Sequence, residues 1–430
     1  MVPQTKIITP FLKLKTVCTD KFKTERISVT VETLPHIRQT PVERFVFSVL
    51  RRGCKNYPTQ RSLSIRCDEL YSAMVSPVFV AGGGKHRFGF SAEILSSEFV
   101  DKNIFEDTLE LIFDIFWNPL LDENGKFLEK YVESERENIC DIVRSVKNNP
   151  RVYAMKRFFE IMYEGDQYSF STRGSVDTVN SITSDELIKA YRNLVEKSSY
   201  EIFYVGPKSA DEVEKTVVSF FEKNDLGKER TIASNVMFAV DTEKVKRIDE
   251  KMQLSQGKLV VGFKSGINIT CGKDFYAMVM LNEIYGATAV SKLFLNVRER
   301  LGLCYYCTSK YDVHKGCLYV VCEMEPRDRK KAEKEIIKYL EEIKKGRISD
   351  GEFESAKKSL LSVYSETLDS AVAIERFYTL REEYGVGDTV DDAKNAINAL
   401  TLSDVLRVSI NIKLDTVYFL CGDKENCGDD

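Results

Sequence analysis

Histidine is scarce in this chain. Its 430 residues contain three, His36, His86 and His314, and no two lie within one helical turn of each other. A metal centre needs several convergent ligands, so each reads as a surface or loop histidine. Long apolar runs are also missing. Nothing approaches membrane-spanning length, and the opening MVPQTKIITPFLKLKTVCTD lacks the continuous apolar core of a signal peptide. A cytoplasmic location is the expectation. Charge of one sign is not in excess: 62 Lys and Arg against 66 Asp and Glu leave a formal net charge of -4. That offers no basic field for nucleic acid and no polybasic membrane signal.

Cysteine is present, but in an odd number, 11, scattered along a large chain. This pattern argues for reduced thiols rather than a disulfide framework. Cys304, Cys307, His314, Cys317 and Cys322 have spacings that resemble a zinc ribbon. Against it, CYYCTSKY is rich in β-formers with no turn residue between its cysteines. Strand alternation then puts Cys304 and Cys307 on opposite faces, as core cysteines. Ala81-Gly82-Gly83-Gly84 lacks the Lys-Ser/Thr of a phosphate-binding loop and precedes a strand, so it reads as a plain loop.

Such a length is too great for one compact core, and the chain repeats itself. SVDTVNSITSDELIKAYRNLVEKSSYEIFYVGP, ending at Pro207, is echoed by TVDDAKNAINALTLSDVLRVSINIKLDTVYFLCG, ending at Gly422. WNPLLDENGKFLEKYVESERENICDI is likewise echoed by KKGRISDGEFESAKKSLLSVYSE. Ordered pairs at similar spacing indicate a duplication. The expected domains are 1–221 and 258–430, with 222–257 as linker containing a strand. In the first half TERISVTVET and KHRFGFSAEI read as strands; in the second KLVVGFKSG reads as a strand, and LCYYCTSKYDV with GCLYVVCEME as a hairpin around His314-Lys315-Gly316. Mixed strands and helices without regular alternation give an α+β fold: two homologous halves, each an antiparallel-rich mixed sheet with helices packed on one face.

QTPVERFVFSVLRRG is punctuated as a helix, with Thr40 at the N-cap, Pro41 at the first position, Glu43 completing a capping box and Gly53 closing it. Arg44 and Ser48 lie one turn apart on one face, with Phe47 between. Further on, LNEIYGATAVSKLFLNVRERLGLCYY carries Arg298 and Tyr305 across Leu301-Gly302.

These segments resemble the insulinase/pitrilysin metallopeptidases (inverzincins), which carry H-x-x-E-H on the first helix and R-E-x-x-G-L-x-Y in the second half. The resemblance covers essentially the whole chain. It implies that Arg44 and Ser48 stand where that family has zinc-binding histidines, and Phe47 where it has the general base. On YVESERENICDIV it implies Glu135 at the earlier carboxylate and Ile142 at the third ligand position, beside Asp141. All three ligands and the base are missing, so no cofactor is expected in this chain. Arg298 and Tyr305 match the pair that faces the zinc across a closed chamber. A tyrosine hydroxyl and a permanent guanidinium can both donate to an oxyanion or a peptide backbone.

The resemblance therefore implies a non-catalytic subunit of a heterodimeric zinc metallopeptidase, resembling the inactive member of the processing-peptidase-like pairs. A homologous active subunit would supply H-x-x-E-H and the zinc, and an extended peptide would be the substrate, added as a strand to a sheet edge. The alternative is a binding or scaffold subunit without proteolysis. No nucleic acid or membrane partner is expected, and whether the isolated chain is a monomer or a homodimer stays open.

Overall fold

The computed structural model describes residues 1–82, 84–100, 103–223 and 244–422. Most of the expected linker, 224–243, and Gly83 of the glycine loop lie outside them. The first half contains β1 (Gln4–Thr9), β2 (Leu12–Cys18), β3 (Thr24–Thr33), α1 (Gln39–Leu50) and α2 (Gln60–Glu69). A hairpin of β4 (Met74–Ala81) and β5 (His86–Leu95) follows, then α3 (Ile104–Trp117), α4 (Glu129–Ser145) and α5 (Pro150–Met162). It closes with α6 (Val176–Asn180), α7 (Ser184–Lys197), β6 (Tyr200–Gly206) and α8 (Ala210–Lys223).

The second half runs β7 (Lys246–Lys251), β8 (Gly257–Lys264), α9 (Lys273–Asn282), two π-helical stretches (Glu283–Ala287 and Phe294–Arg300), β9 (Tyr306–Asp312) and β10 (Cys317–Met324). Then come α10 (Arg329–Lys344), α11 (Asp350–Glu366), α12 (Ala371–Glu383), α13 (Val390–Asn398), α14 (Leu402–Ser409) and β11 (Lys413–Cys421).

The two sheets repeat one topology. Their strand orders are β1-β2-β6-β3-β5-β4 and β7-β11-β8-β10-β9. In each, the closing strand sits between one parallel neighbour (β2 with β6, β7 with β11) and one antiparallel neighbour (β3, β8). The helices that start at Ser184 and Leu402 feed these equivalent strands, as the duplication requires. Thr183 and Thr401 head both with the same capping box, to Glu186 and Asp404.

Alternation on β3 sets the first core. Ile27, Val29 and Val31 are fully buried in a cluster with Phe45 and Val46 of α1 and Leu109 and Ile112 of α3. The opposite face of that sheet is polar yet also buried: Lys15 of β2 pairs with Glu201 of β6 at 2.8 Å. Arg26 of β3 pairs at 2.6 Å with Glu375 of α12, which also accepts from Ser28.

The described chain forms two interleaved units. One holds Met1–Arg144, 170–223 and Ser370–Leu380; the other holds Ser145–Ser169, 244–369 and 381–422. Each half of the sequence thus gives a helical segment to the unit built on the other half. In the second unit, α5 lies on β8 and β11 through Ala154, Phe158 and Met162, against Val260, Val321, Tyr418 and Leu420. Gly262 makes this seat possible, because a Cβ there would come 2.4 Å from Cζ of Phe158.

Gly262→Ala is expected to lower the unfolding free energy by about 1–3 kcal/mol, the usual range for overpacking a close-packed core. Urea denaturation measures it. An unchanged midpoint would mean that the Phe158 ring is not seated on the strand.

Candidate functional site

The first-half site is built on α1. Arg44, Ser48 and Arg51, spaced by four and three residues, share one helix face and line an open cleft of about 710 Å³ in the first unit. Phe79 and Val78 of β4, Ile142 of α4 and Arg173 complete its wall. β4 is the last strand of its sheet, so one of its edges has no strand partner among the described residues.

Each position that the resemblance singled out has acquired another role. Arg44 donates from Nη1 to Thr172 Oγ1 at 2.8 Å, and its guanidinium lies 4.0 Å from the Phe79 ring centre. Burial, reinforced by the charge of Arg173, draws its pKa down to about 10, so it remains a cation at neutral pH. Phe47 is buried against Phe88, Phe90 and Phe116, with ring centroids 5.4–5.6 Å away. Ser48 Oγ turns back to donate to the Arg44 carbonyl at 3.3 Å. Ile142 is 45% exposed, and the neighbouring Asp141 pairs with Arg144 at 2.9 Å. Glu135 is buried in an ion pair with Arg52.

This donor set does not fit zinc. A guanidinium has no lone pair to give at neutral pH, and Phe47 and Ile142 offer no ligand atom. His86, a buried imidazole beside α1, meets Thr40 Oγ1 at 3.2 Å through Nδ1. Burial, then the Arg44 charge, lowers its pKa to about 4.

The start of α1 differs from the expected capping box. The helix begins at Gln39, and Arg38 precedes it without a side-chain cap. Thr40 accepts from the His36 amide and meets His86, while Glu43 accepts from Thr33 and Gln39. Partners other than the cap amides, His86 for Thr40 and Thr33 with Gln39 for Glu43, have won both side chains. Gly53 is required by close approach rather than as a helix stop, since a Cβ there would lie 2.7 Å from the Pro58 carbonyl carbon.

In the second unit, Arg298 lies in the π-helical stretch Phe294–Arg300 and Tyr305 immediately precedes β9. Leu301 donates to Asn296, Gly302 to Arg298 and Leu303 to Val297, with Gly302 at φ +58° turning the chain. The buried Val297 and Leu303 anchor this turn, and the Tyr305 amide bonds to the Glu323 carbonyl at 2.8 Å. Both side chains reach solvent, at 40% and 58% exposure. Arg298 lies over Phe294 and 3.5 Å from Glu299, whereas Tyr305 donates to Glu325 at 2.9 Å.

The cysteines correct the alternation argument. Cys304, Cys307 and Cys322 converge, buried, with sulfurs within 4.8 Å of one another. The chain bends at Tyr305 and β9 starts only at Tyr306, so Cys304 is outside the strand and escapes its alternation. Thiol donors from Cys307 and Cys322 hold the Cys304 thiol below its ordinary range. The grouping is smaller than a zinc ribbon: His314 bonds to Tyr384, and Cys317 lies against Met162.

Sequence reasoning missed Arg51 and Arg173 as lining residues. Arg51 was detectable as i+7 from Arg44, but Arg173 reaches the cleft only through tertiary folding.

Burial raises the Glu43 pKa from 4.5 to about 7 against the two hydrogen bonds it accepts. The stabilisation from its protonated form is therefore complete below about pH 4.5 and lost as pH rises through 7. Glu43→Gln is expected to melt higher than the parent at pH 8 by the equivalent of about 1–3 kcal/mol, and to match it near pH 4.5. Equal pH profiles for the two proteins would remove this role.

The family description "Peptidase M16 inactive domain" matches residues 181–360. A Bacillus subtilis relative named "Probable inactive metalloprotease YmfF" is 28% identical over 410 residues, covering 94% of each chain. Among solved structures, a conserved protein from Enterococcus faecalis has TM-score 0.91 at 24% identity, covering 99% of this chain and 100% of its own. A peptidase M16 inactive domain from Pseudomonas fluorescens has TM-score 0.78 at 16% identity, covering 99% of both. Along nearly its whole length the chain is thus similar to a probable inactive metalloprotease and shares the fold of peptidase M16 inactive-domain structures.

Proposed function

We propose that the chain is the non-catalytic subunit of a two-chain zinc peptidase and lends Arg298 and Tyr305 to the site of a homologous partner. The carrying observation is the turn itself. A π-helical stretch and a left-handed glycine, anchored by Val297 and Leu303, present a guanidinium and a phenol to solvent seven residues apart. In a partner's site these groups would steady a peptide carbonyl as it gains negative charge. The zinc and the base belong to the partner, since α1 offers neither.

One observation favours a scaffold without proteolysis. The Tyr305 hydroxyl already donates to Glu325 and Arg298 is stacked on Phe294, as in a retired pair. For catalysis the tyrosine proton must leave Glu325 for the substrate.

The purified chain alone is expected to hydrolyse no peptide and to carry no stoichiometric zinc at α1 by elemental analysis. With the active homologue, Arg298→Ala or Tyr305→Phe should each lower turnover by roughly 10²–10³-fold. Arg298→Ala should also raise KM, and Tyr305→Phe should act chiefly on kcat. Unchanged steady-state kinetics in both, with the chains still associating, would favour the scaffold.

A further inference from the structure

The cleft on α1 lost a metal site but not its positive charge. Arg44, Arg51 and Arg173 line it, and none of the three forms an ion pair among the described residues. The carboxylates in its wall are engaged elsewhere, Glu135 with Arg52 and Asp141 with Arg144. The Arg44 guanidinium has five N–H donors, of which Thr172 takes one. Thr172 and the Phe79 ring fix its plane, so little side-chain entropy remains to be lost when a ligand arrives. Arg44 and Arg173 are also close enough to depress the Arg44 pKa, a repulsion that an anion between them would relieve.

The walls say what kind of anion. Phe79, Phe88 and Pro77 make the cleft partly apolar, and β4, whose residues Pro77 to Phe79 line it, is the edge strand of its sheet. A strand edge recognises extended peptide backbone, and alternate side chains then fall into adjoining pockets. We propose that the cleft is a carboxylate-binding pocket, in which a peptide lying along β4 places a carboxylate between Arg44 and Arg173. The carboxylate is an acidic side chain or the peptide's own C-terminus, since both give the planar pair of oxygens that a guanidinium fork accepts. The choice of peptide rests on the function proposed above; the anion pocket does not.

Isothermal titration of the full chain tests this with three acetylated pentapeptides: one neutral and amidated, one amidated with a central glutamate, one neutral with a free C-terminus. Inorganic phosphate is the fourth probe. At least one of the carboxylate peptides is expected to bind at least about ten-fold tighter than the neutral amidated one, and to weaken as salt rises. The stronger of the two identifies the carboxylate's source.

Arg44→Ser and Arg173→Ser should each weaken that binding about ten-fold. Arg173 is exposed, so its variant keeps the fold, and circular dichroism checks both. Arg347→Ser, at an exposed arginine of the other unit, should change nothing. Equal affinity for all three peptides, or folded variants that bind as the parent does, would overturn the pocket. Phosphate binding without peptide binding would overturn the peptide assignment. Failure to reconstitute a two-chain peptidase while carboxylate peptides still bind would count against the proposed function and leave the pocket standing.

Discussion

Phe158 occupies the space that residue 262 leaves by having no side chain. That contact seats a helix from the first half of the sequence on the sheet of the second. A sheet has two faces, and one left bare would expose a broad apolar surface to water. The second sheet buries Val260, Val321, Tyr418 and Leu420 with α5 on one face. On the other face, Ser309 of β9 bonds to Asn282 of α9, and Phe263 of β8 meets the buried Tyr285. The first unit takes the N-terminal part of α12 in return, through the Glu375 contacts to Arg26 and Ser28. The duplication explains the symmetry of the exchange: α5 and α12 occupy the same place in their repeats, three helical elements before the closing strand.

The first sheet shows how divergence used the face that this exchange covers. Its counterpart in the second unit also holds ion pairs, Lys258 with Glu323 and Lys264 with Asp415; here Lys15 and Glu201 are buried together. Burial alone would raise the Glu201 pKa. Arg87 and Lys15 more than reverse that and bring it down to about 2. A buried pair of this kind contributes little net stability over an apolar pair, but loss of one partner strands the other charge. Lys15 and Glu201 are on parallel neighbouring strands, so their pairing penalises any slip of β2 along β6.

Much of this was legible in the sequence, for a local reason. TERISVTVET alternates and forms β3 as expected, and the hairpin turns around His314-Lys315-Gly316. The blocks ending at Pro207 and Gly422 revealed the repeat because both keep a capping threonine and a closing strand. What escaped was set by partners distant in sequence. The periodicity of α5 marks an amphipathic helix but not which sheet will receive it. Thr40 and Glu43 spell a capping box until His86 and Thr33 compete for them. Cys304 fits an alternation rule until the backbone bends one residue before the strand. At the site, the missing ligands were plain from residue type alone, while the cleft's arginines became a group only in three dimensions.

Arg44 also shows what the change at α1 can and cannot keep. Zinc at that position would give two things, positive charge and a water acidic enough to attack an amide. A guanidinium retains the first. It attracts anions and, held by Thr172 and Phe79, does so with fixed geometry. It cannot supply the second, because it has no vacant orbital to bind water's oxygen, and its own pKa, even lowered to about 10, leaves it a cation at neutral pH. Phe47 completes the change: where a base would have faced the cleft, a ring lies among Phe88, Phe90 and Phe116, closed to protons. A helix face so furnished can serve recognition but supplies neither the metal nor the base of hydrolysis. Binding can persist on such a surface after catalysis has gone, because recognition needs only charge and shape, whereas hydrolysis also needs a metal and a base.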